Sequence, residues 1–274
     1  LKSFLIGVIH IHPRRYFTEM LKRYMHKRER HFAMLNDNRT VQPFEWGAEF
    51  VADHLNGRDP QRVLSEFSKN VVANSENYFA RPEGIMFGLE EQLYPSAASI
   101  NASEVKGPVE QVELPVLTWK SAVETISIEN NTAYATYFPH PDRRAAVVIL
   151  PHWNAKAGTY FDLAKFLNKV GLSALRLTLP YHEERMPPEL ERADHLVSPN
   201  IGRSLQSIRQ AVLDARAAVA WLKSQGYEKV GIVGTSIGSC VAFMAWVHDP
   251  EIDAAVFNHV SGYMADVVWH GLST

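Results

Sequence analysis

Lys229-Val230-Gly231-Ile232-Val233 runs into Gly234-Thr235-Ser236-Ile237-Gly238, and Ser239-Cys240-Val241-Ala242-Phe243-Met244 follows. The first part reads as an apolar strand and the last as a helix of small and apolar residues. Between them a serine stands with a glycine two positions to either side. Strand, G-x-S-x-G, helix is the order in which a strained turn lifts a serine out of a sheet and presents its hydroxyl as a nucleophile. The glycines belong to that reading, because a backbone that bends sharply beside close neighbours leaves no room for a Cβ. The plainer alternative is a strand-to-helix turn in which Ser236 only caps the helix.

The stretch also opens like a dinucleotide-binding fingerprint, which needs glycine at three places; the chain has Gly234, Ser236 and Ser239 there. The next apolar run, 254–257, ends in Asn258-His259, where a ribose-binding site wants Asp or Glu. No nucleotide cofactor, and no other cofactor, is expected. Metal sites are also not expected: His182, Glu183 and Glu184 are adjacent, and adjacent residues rarely share one ion, while the pair His10 and His12 lacks partners.

At 274 residues, 46% apolar and a net charge of −2, the chain can bury the core of one large α/β domain. Its single cysteine, Cys240, permits no internal disulfide and reads as a small buried hydrophobe. Charge is uneven. Residues 1–40 carry nine Lys/Arg against three Asp/Glu, residues 41–130 carry six against fourteen, and residues 131–274 carry thirteen of each. Neither a basic face nor an aromatic stacking pattern points to nucleic acid. The apolar run 4–9 is too short to span a membrane and leads into Pro13-Arg14-Arg15-Tyr16 rather than a cleavage site of small residues. A soluble cytoplasmic protein is the expectation.

Residues 14–35 form a basic amphipathic pattern, with Phe17, Leu21, Tyr24, Phe32 and Leu35 at roughly helical spacing and Lys22, Arg23, Lys27, Arg28 and Arg30 between them. Two readings compete, a membrane-surface contact and a solvated helix packed on the domain. Glu19, Glu29 and the modest apolar stripe favour the second. Short helices are predicted near 44–52 and 62–67, then a linker over 94–108 rich in Ser, Ala, Asn, Gly and Pro. From residue 111 the pattern is regular: strands at 112–119 and 132–138, a buried strand at 145–150, a helix at 160–170, a strand at 173–179, a long helix at 201–225, strand 229–233 with its elbow, and strand 253–258. The expected division is a helical or irregular extension, 1–110, before a core, 111–274.

Two antiparallel strands followed by strand–helix units predict a mostly parallel sheet with helices on both faces. In that order, with a serine elbow after the fifth predicted strand, residues 110–274 resemble the α/β-hydrolase superfamily, and within it bacterial α/β-hydrolase-domain proteins. The resemblance implies an α/β-hydrolase fold and a serine hydrolase of esterase, lipase or thioesterase type. It would act on a small-molecule ester or thioester through an acyl-enzyme on Ser236. The same resemblance makes the Ile237 N–H one oxyanion donor. A second comes from the loop Leu150-Pro151-His152-Trp153-Asn154, through the N–H of either Trp153 or Asn154. His152 is expected to order that loop rather than act as the base.

Family members place the catalytic acid and then the histidine after later strands, but only one predicted strand follows the elbow here. Asp249 and Asp253 precede that strand, at the wrong end of the sheet. His259 lies at the correct end, where a pocket-shaping role is expected, and Asp266 is a candidate acid. The expectation is therefore a chain truncated at its C-terminus, with the catalytic histidine and its acid beyond Thr274. The connection from Pro180 to Pro199 should border the substrate pocket. An acyltransferase using the same serine and a non-catalytic binding module of the same fold are the alternatives.

Overall fold

The computed structural model describes residues 43–52, 55–95 and 111–260, together with positions 19–20, 22–24, 26–27 and 30–31, which are helical. Two compact units are present, one comprising residues 1–43 and 263–274 and the other Phe44–Gly262. Most of the first lies outside the described residues, including Asp266 and the apolar run 4–9.

The second unit contains a seven-stranded sheet among its described residues. Its strands are β1 (Phe87–Pro95), β2 (Gln111–Lys120), β3 (Thr132–Phe138), β4 (Ala145–Leu150), β5 (Ser173–Leu177), β6 (Lys229–Thr235) and β7 (Ala254–Asn258). They lie in the order β1-β2-β3-β5-β4-β6-β7. Strands β5, β4, β6 and β7 are mutually parallel, and β2 runs with them because β3 is antiparallel to both β2 and β5. Only β1 and β3 run the other way, so the sheet is mostly parallel, as the residue pattern predicts.

Among the described residues of this unit five α-helices accompany it: α1 (Pro60–Ala73), α2 (Ser75–Tyr78), α3 (Phe161–Lys169), α4 (Ile201–Ser224) and α5 (Ile237–His248). Successive side chains of a strand point to opposite faces. Phe138 packs on Phe161 of α3, ring centroids 5.1 Å apart, while its neighbour Tyr137 packs on Trp221 of α4 at 5.0 Å. Helices therefore cover both faces. On the α3 side the core joins Tyr94, Val116, Phe138, Ile149, Phe161, Ala164 and Ala174.

The expected boundary at residue 110 falls inside this unit. Strand β1 pairs with β2 along its whole length, and Tyr94 and Pro95, expected in a linker, end it. Its residues alternate poorly between apolar and polar (Phe87-Gly88-Leu89-Glu90-Glu91-Gln92), as suits an edge strand whose outer face meets water. The predicted helix at 62–67 extends over all of α1, begun by Pro60 and capped by Asp59, whose carboxylate accepts the Arg62 N–H at 3.1 Å. Residues 45–48 clasp the start of α4: Ile201 N–H donates to Glu45 O, Gly202 N–H to Trp46 O, and the Asn200 amide to Glu45. Ala48, Val63 and Leu64 bury a small core against Ile201 and Leu205.

Beneath α4 lies a polar network that hydropathy patterning does not suggest. Arg185 is fully buried; it donates to Asp214 Oδ2 at 2.9 Å and to the carbonyls of Thr178 and Asn130, while Asp214 Oδ1 accepts from Ser121. Burial pushes the Asp214 carboxyl up, and the Arg185 guanidinium opposes that. Arg185 thereby ties the chain after β5 to α4 and to the segment before β3.

Candidate active site

The residue after β6 is Ser236, and its backbone takes φ 54° and ψ −122°, a region that L-residues rarely enter. Ser236 is exposed while Gly234, Ile237, Gly238 and Ser239 around it are buried. The flanking glycines are steric requirements. A Cβ on Gly234 would lie 2.1 Å from Gly238 O, and one on Gly238 would lie 2.4 Å from the carbonyl oxygens of both Leu150 and Pro151. The turn is pinned by the Ser236 N–H donating to Asn258 O of β7 at 2.8 Å and by the Ser239 hydroxyl, which reaches Gly234 O at 2.7 Å and Asn258 O at 2.6 Å. Gly238→Ala is expected to destabilise the protein by about 2–3 kcal/mol, because backbone carbonyls cannot yield to the methyl as a flexible side chain would. Helix propensity alone favours Ala by up to about 1 kcal/mol, so a thermal melt fixes the sign: a variant as stable as the parent would contradict this packing.

The close approach of Gly238 to Leu150 and Pro151 brings the loop after β4 beside the elbow, in keeping with the pairing of Leu150 with Gly234. Ile237 opens α5, so its N–H has no carbonyl one turn back. In the loop the two expected donors behave differently. Asn154, at φ 58°, gives its N–H to His182 Nε2 at 2.8 Å, and its side-chain oxygen accepts the Ala193 N–H at 2.8 Å. Its N–H is thus already hydrogen-bonded within the protein. The Trp153 N–H has no hydrogen-bond acceptor among the described residues, while the indole donates to Ala193 O and lies under Arg192. His152 shares a hydrogen bond of 2.8 Å with the Tyr160 hydroxyl and is half-buried; burial and then Arg176 hold its pKa down.

His182 is the residue that sequence reading undervalued. It is only 1% exposed, and both ring nitrogens are engaged: Nδ1 with Pro180 O at 2.9 Å and Nε2 with the Asn154 N–H. Those partners require the neutral tautomer with the proton on Nδ1. Burial lowers its pKa to about 4, only partly offset by the Pro180 carbonyl. Protons bind more readily to the unfolded histidine, at about 6.5, than to the folded one. Stability from His182 is therefore whole above about pH 6.5 and is lost as the pH falls toward 4, on the order of 3 kcal/mol across that window. Urea melts of wild type and His182→Gln between pH 7 and pH 4 check this: the wild type should lose more stability than the variant, and parallel curves would contradict it.

Arg176 stands in β5, whose five residues are all buried, and a guanidinium there needs a partner. Glu183 supplies it in a two-pronged pair of 2.9 and 2.5 Å, with Thr159 O accepting from Nε. His182 and Glu183 are thus committed to the protein itself. Among the described residues no group of three or more His, Cys, Asp or Glu could hold a metal ion. Asp249 lies buried between Arg81 and Arg216, and Asp253 accepts from Lys229, the Val230 N–H and Lys223, which hold its carboxyl well below the usual range. Both serve the end of the sheet away from Ser236. His259 follows Asn258, which pairs with Thr235, so it stands one register step from Ser236, exposed and at φ 64°.

Eight described non-glycine residues have positive φ, and six of them (Asn154, Tyr160, Tyr181, Glu183, Ser236 and His259) follow the C-terminal ends of β4, β5, β6 and β7. Backbone strain is concentrated on one rim of the sheet. Strained residues gather where the surrounding structure holds a working geometry, and in open α/β sheets that rim is where ligands bind.

Strand order and the strand–elbow–helix unit define an α/β-hydrolase fold. No family model matches the chain, and no curated protein matches it. Similar solved structures include an α/β hydrolase, GrgF, from Penicillium sp. sh18 (21% identity, TM-score 0.37, covering 52% of this chain and 45% of that one). Another is a cold-adapted esterase from an Arctic intertidal metagenomic library (19%, TM-score 0.36, 52% and 60%). A third is a monoacylglycerol lipase from Paleococcus ferrophilus (19%, TM-score 0.34, 45% and 41%). The matched part of this chain spans between 41 and 60% of those proteins' lengths.

Proposed function

We propose that the protein is a serine hydrolase of carboxylic-ester or thioester type that forms an acyl-enzyme on Ser236. The observation that carries this reading is an exposed serine held at φ 54°, ψ −122° between two glycines that tolerate no Cβ. Ser236 Oγ attacks the acyl carbon, and the oxyanion faces the N–H groups of Ile237 and Trp153. The alcohol or thiol leaves with a proton, and water then releases the acid. The base is a separate requirement. No His, Asp or Glu among the described residues is hydrogen-bonded to Ser236 Oγ, and of the described histidines His259 stands beside it in register.

A fluorophosphonate probe tests the reading. The full-length protein should be labelled, and Ser236→Ala should not; equal labelling of the variant would remove Ser236 from the chemistry. Ester turnover with an added alcohol then separates hydrolysis, which yields the acid, from acyl transfer, which yields the new ester.

A further inference from the structure

The loop after β4 is held by a turn that follows β5, 28 residues further along the chain. That turn, 180–185, is bolted to the core. The Tyr181 N–H donates to Asn130 Oδ1 at 3.0 Å, Glu183 pairs with Arg176, and Arg185 pairs with Asp214; both arginines are fully buried. His182 stands between these anchors. Its Nδ1–H donates to Pro180 O at 2.9 Å, which sets the ring, and its Nε2 accepts the Asn154 N–H at 2.8 Å.

The Asn154 N–H belongs to the same planar peptide as the Trp153 carbonyl, so the bond to His182 fixes that plane. Only the two soft backbone torsions of Trp153 separate the plane from the Trp153 N–H. The Trp153 side chain is tied as well: its indole donates to Ala193 O at 2.8 Å, while Asn154 Oδ1 accepts the Ala193 N–H at 2.8 Å. Asn154 itself is at φ 58°, in the sparsely occupied left-handed region, and these bonds hold it there. A donor that is already aimed needs no reorganisation as charge develops on an oxyanion. We propose, resting on the acyl-enzyme reading of Ser236, that His182 is a positioning residue which, through the Asn154 N–H, aims the neighbouring Trp153 N–H at the oxyanion. His182 touches no reacting atom. Its effect belongs to kcat, because the oxyanion exists in the transition state and not in the bound ester.

Two amide variants of the full-length protein test this. The side-chain oxygen of Gln reaches the place of Nε2, whereas Asn reaches only that of Nδ1. His182→Asn is expected to lower kcat about 10²-fold with KM nearly unchanged, and to slow fluorophosphonate labelling of Ser236 in step; His182→Gln should recover most of the loss. Equal losses in the two variants would mark a role in folding alone, and a raised KM at unchanged kcat would mark substrate binding; either overturns the proposal. A second measurement needs no variant. When wild type binds a trifluoromethyl ketone, whose adduct on Ser236 mimics the oxyanion, the Trp153 amide proton should move downfield in the NMR spectrum while that of Asn154 stays. Movement of the Asn154 proton instead would overturn the proposal. Failure of wild-type Ser236 to react with the fluorophosphonate is a different result, which removes the hydrolase reading and the role of His182 with it.

Discussion

Ser236→Ala in the full-length protein is expected to lower ester turnover by at least about 10³-fold without loss of stability. A serine hydroxyl contributes to acyl transfer by forming the bond itself, and no neighbouring group replaces it at the tip of the elbow. The Ser236 side chain makes no capping hydrogen bond to α5, so its removal takes nothing from the fold. Ser236→Gly sharpens the point. Glycine enters the φ 54°, ψ −122° region freely, so relief of strain should raise stability by about 1 kcal/mol, less what glycine loses through the greater freedom of its unfolded chain. A variant more stable and inactive is the signature of a residue kept for its chemistry at the expense of the fold. If both variants keep activity, the strain at Ser236 has some other origin.

Arg185→Leu should cost about 3–5 kcal/mol, read as a fall in the urea midpoint. The guanidinium is surrounded by Asp214, Thr178 O and Asn130 O, and its loss strands the buried Asp214 carboxylate with Ser121 as its remaining hydroxyl donor. Asp214→Leu made in the same chain should recover most of the loss, because a buried pair replaced by apolar residues is often near neutral while half a pair is not. Additive losses in the double variant would show that the two residues act separately.

The elbow was legible because its requirements are local: a strand, two glycines, a serine and a helix within about fifteen residues. The order of β2 to β7 was legible for a similar reason, since parallel strands buried on both faces leave continuous apolar runs such as Ala145–Leu150. Strand β1 was missed because edge strands need no apolar alternation and its glutamates face water. The bond from the Asn154 N–H to His182, 28 residues on, was also beyond a local reading, because side-chain to backbone bonds of that span leave no periodicity. The buried Arg176–Glu183 and Arg185–Asp214 pairs were hidden for the same reason, although an arginine inside the apolar run Ser173–Leu177 is itself a signal that a buried carboxylate must exist nearby.

Whether Ser236 Oγ is the nucleophile is read by peptide mapping of the full-length protein after reaction with a fluorophosphonate. A single adduct is expected, at Ser236, on the peptide containing Gly234-Thr235-Ser236-Ile237-Gly238. An adduct on another serine, or no adduct at all, would rule Ser236 out as the nucleophile.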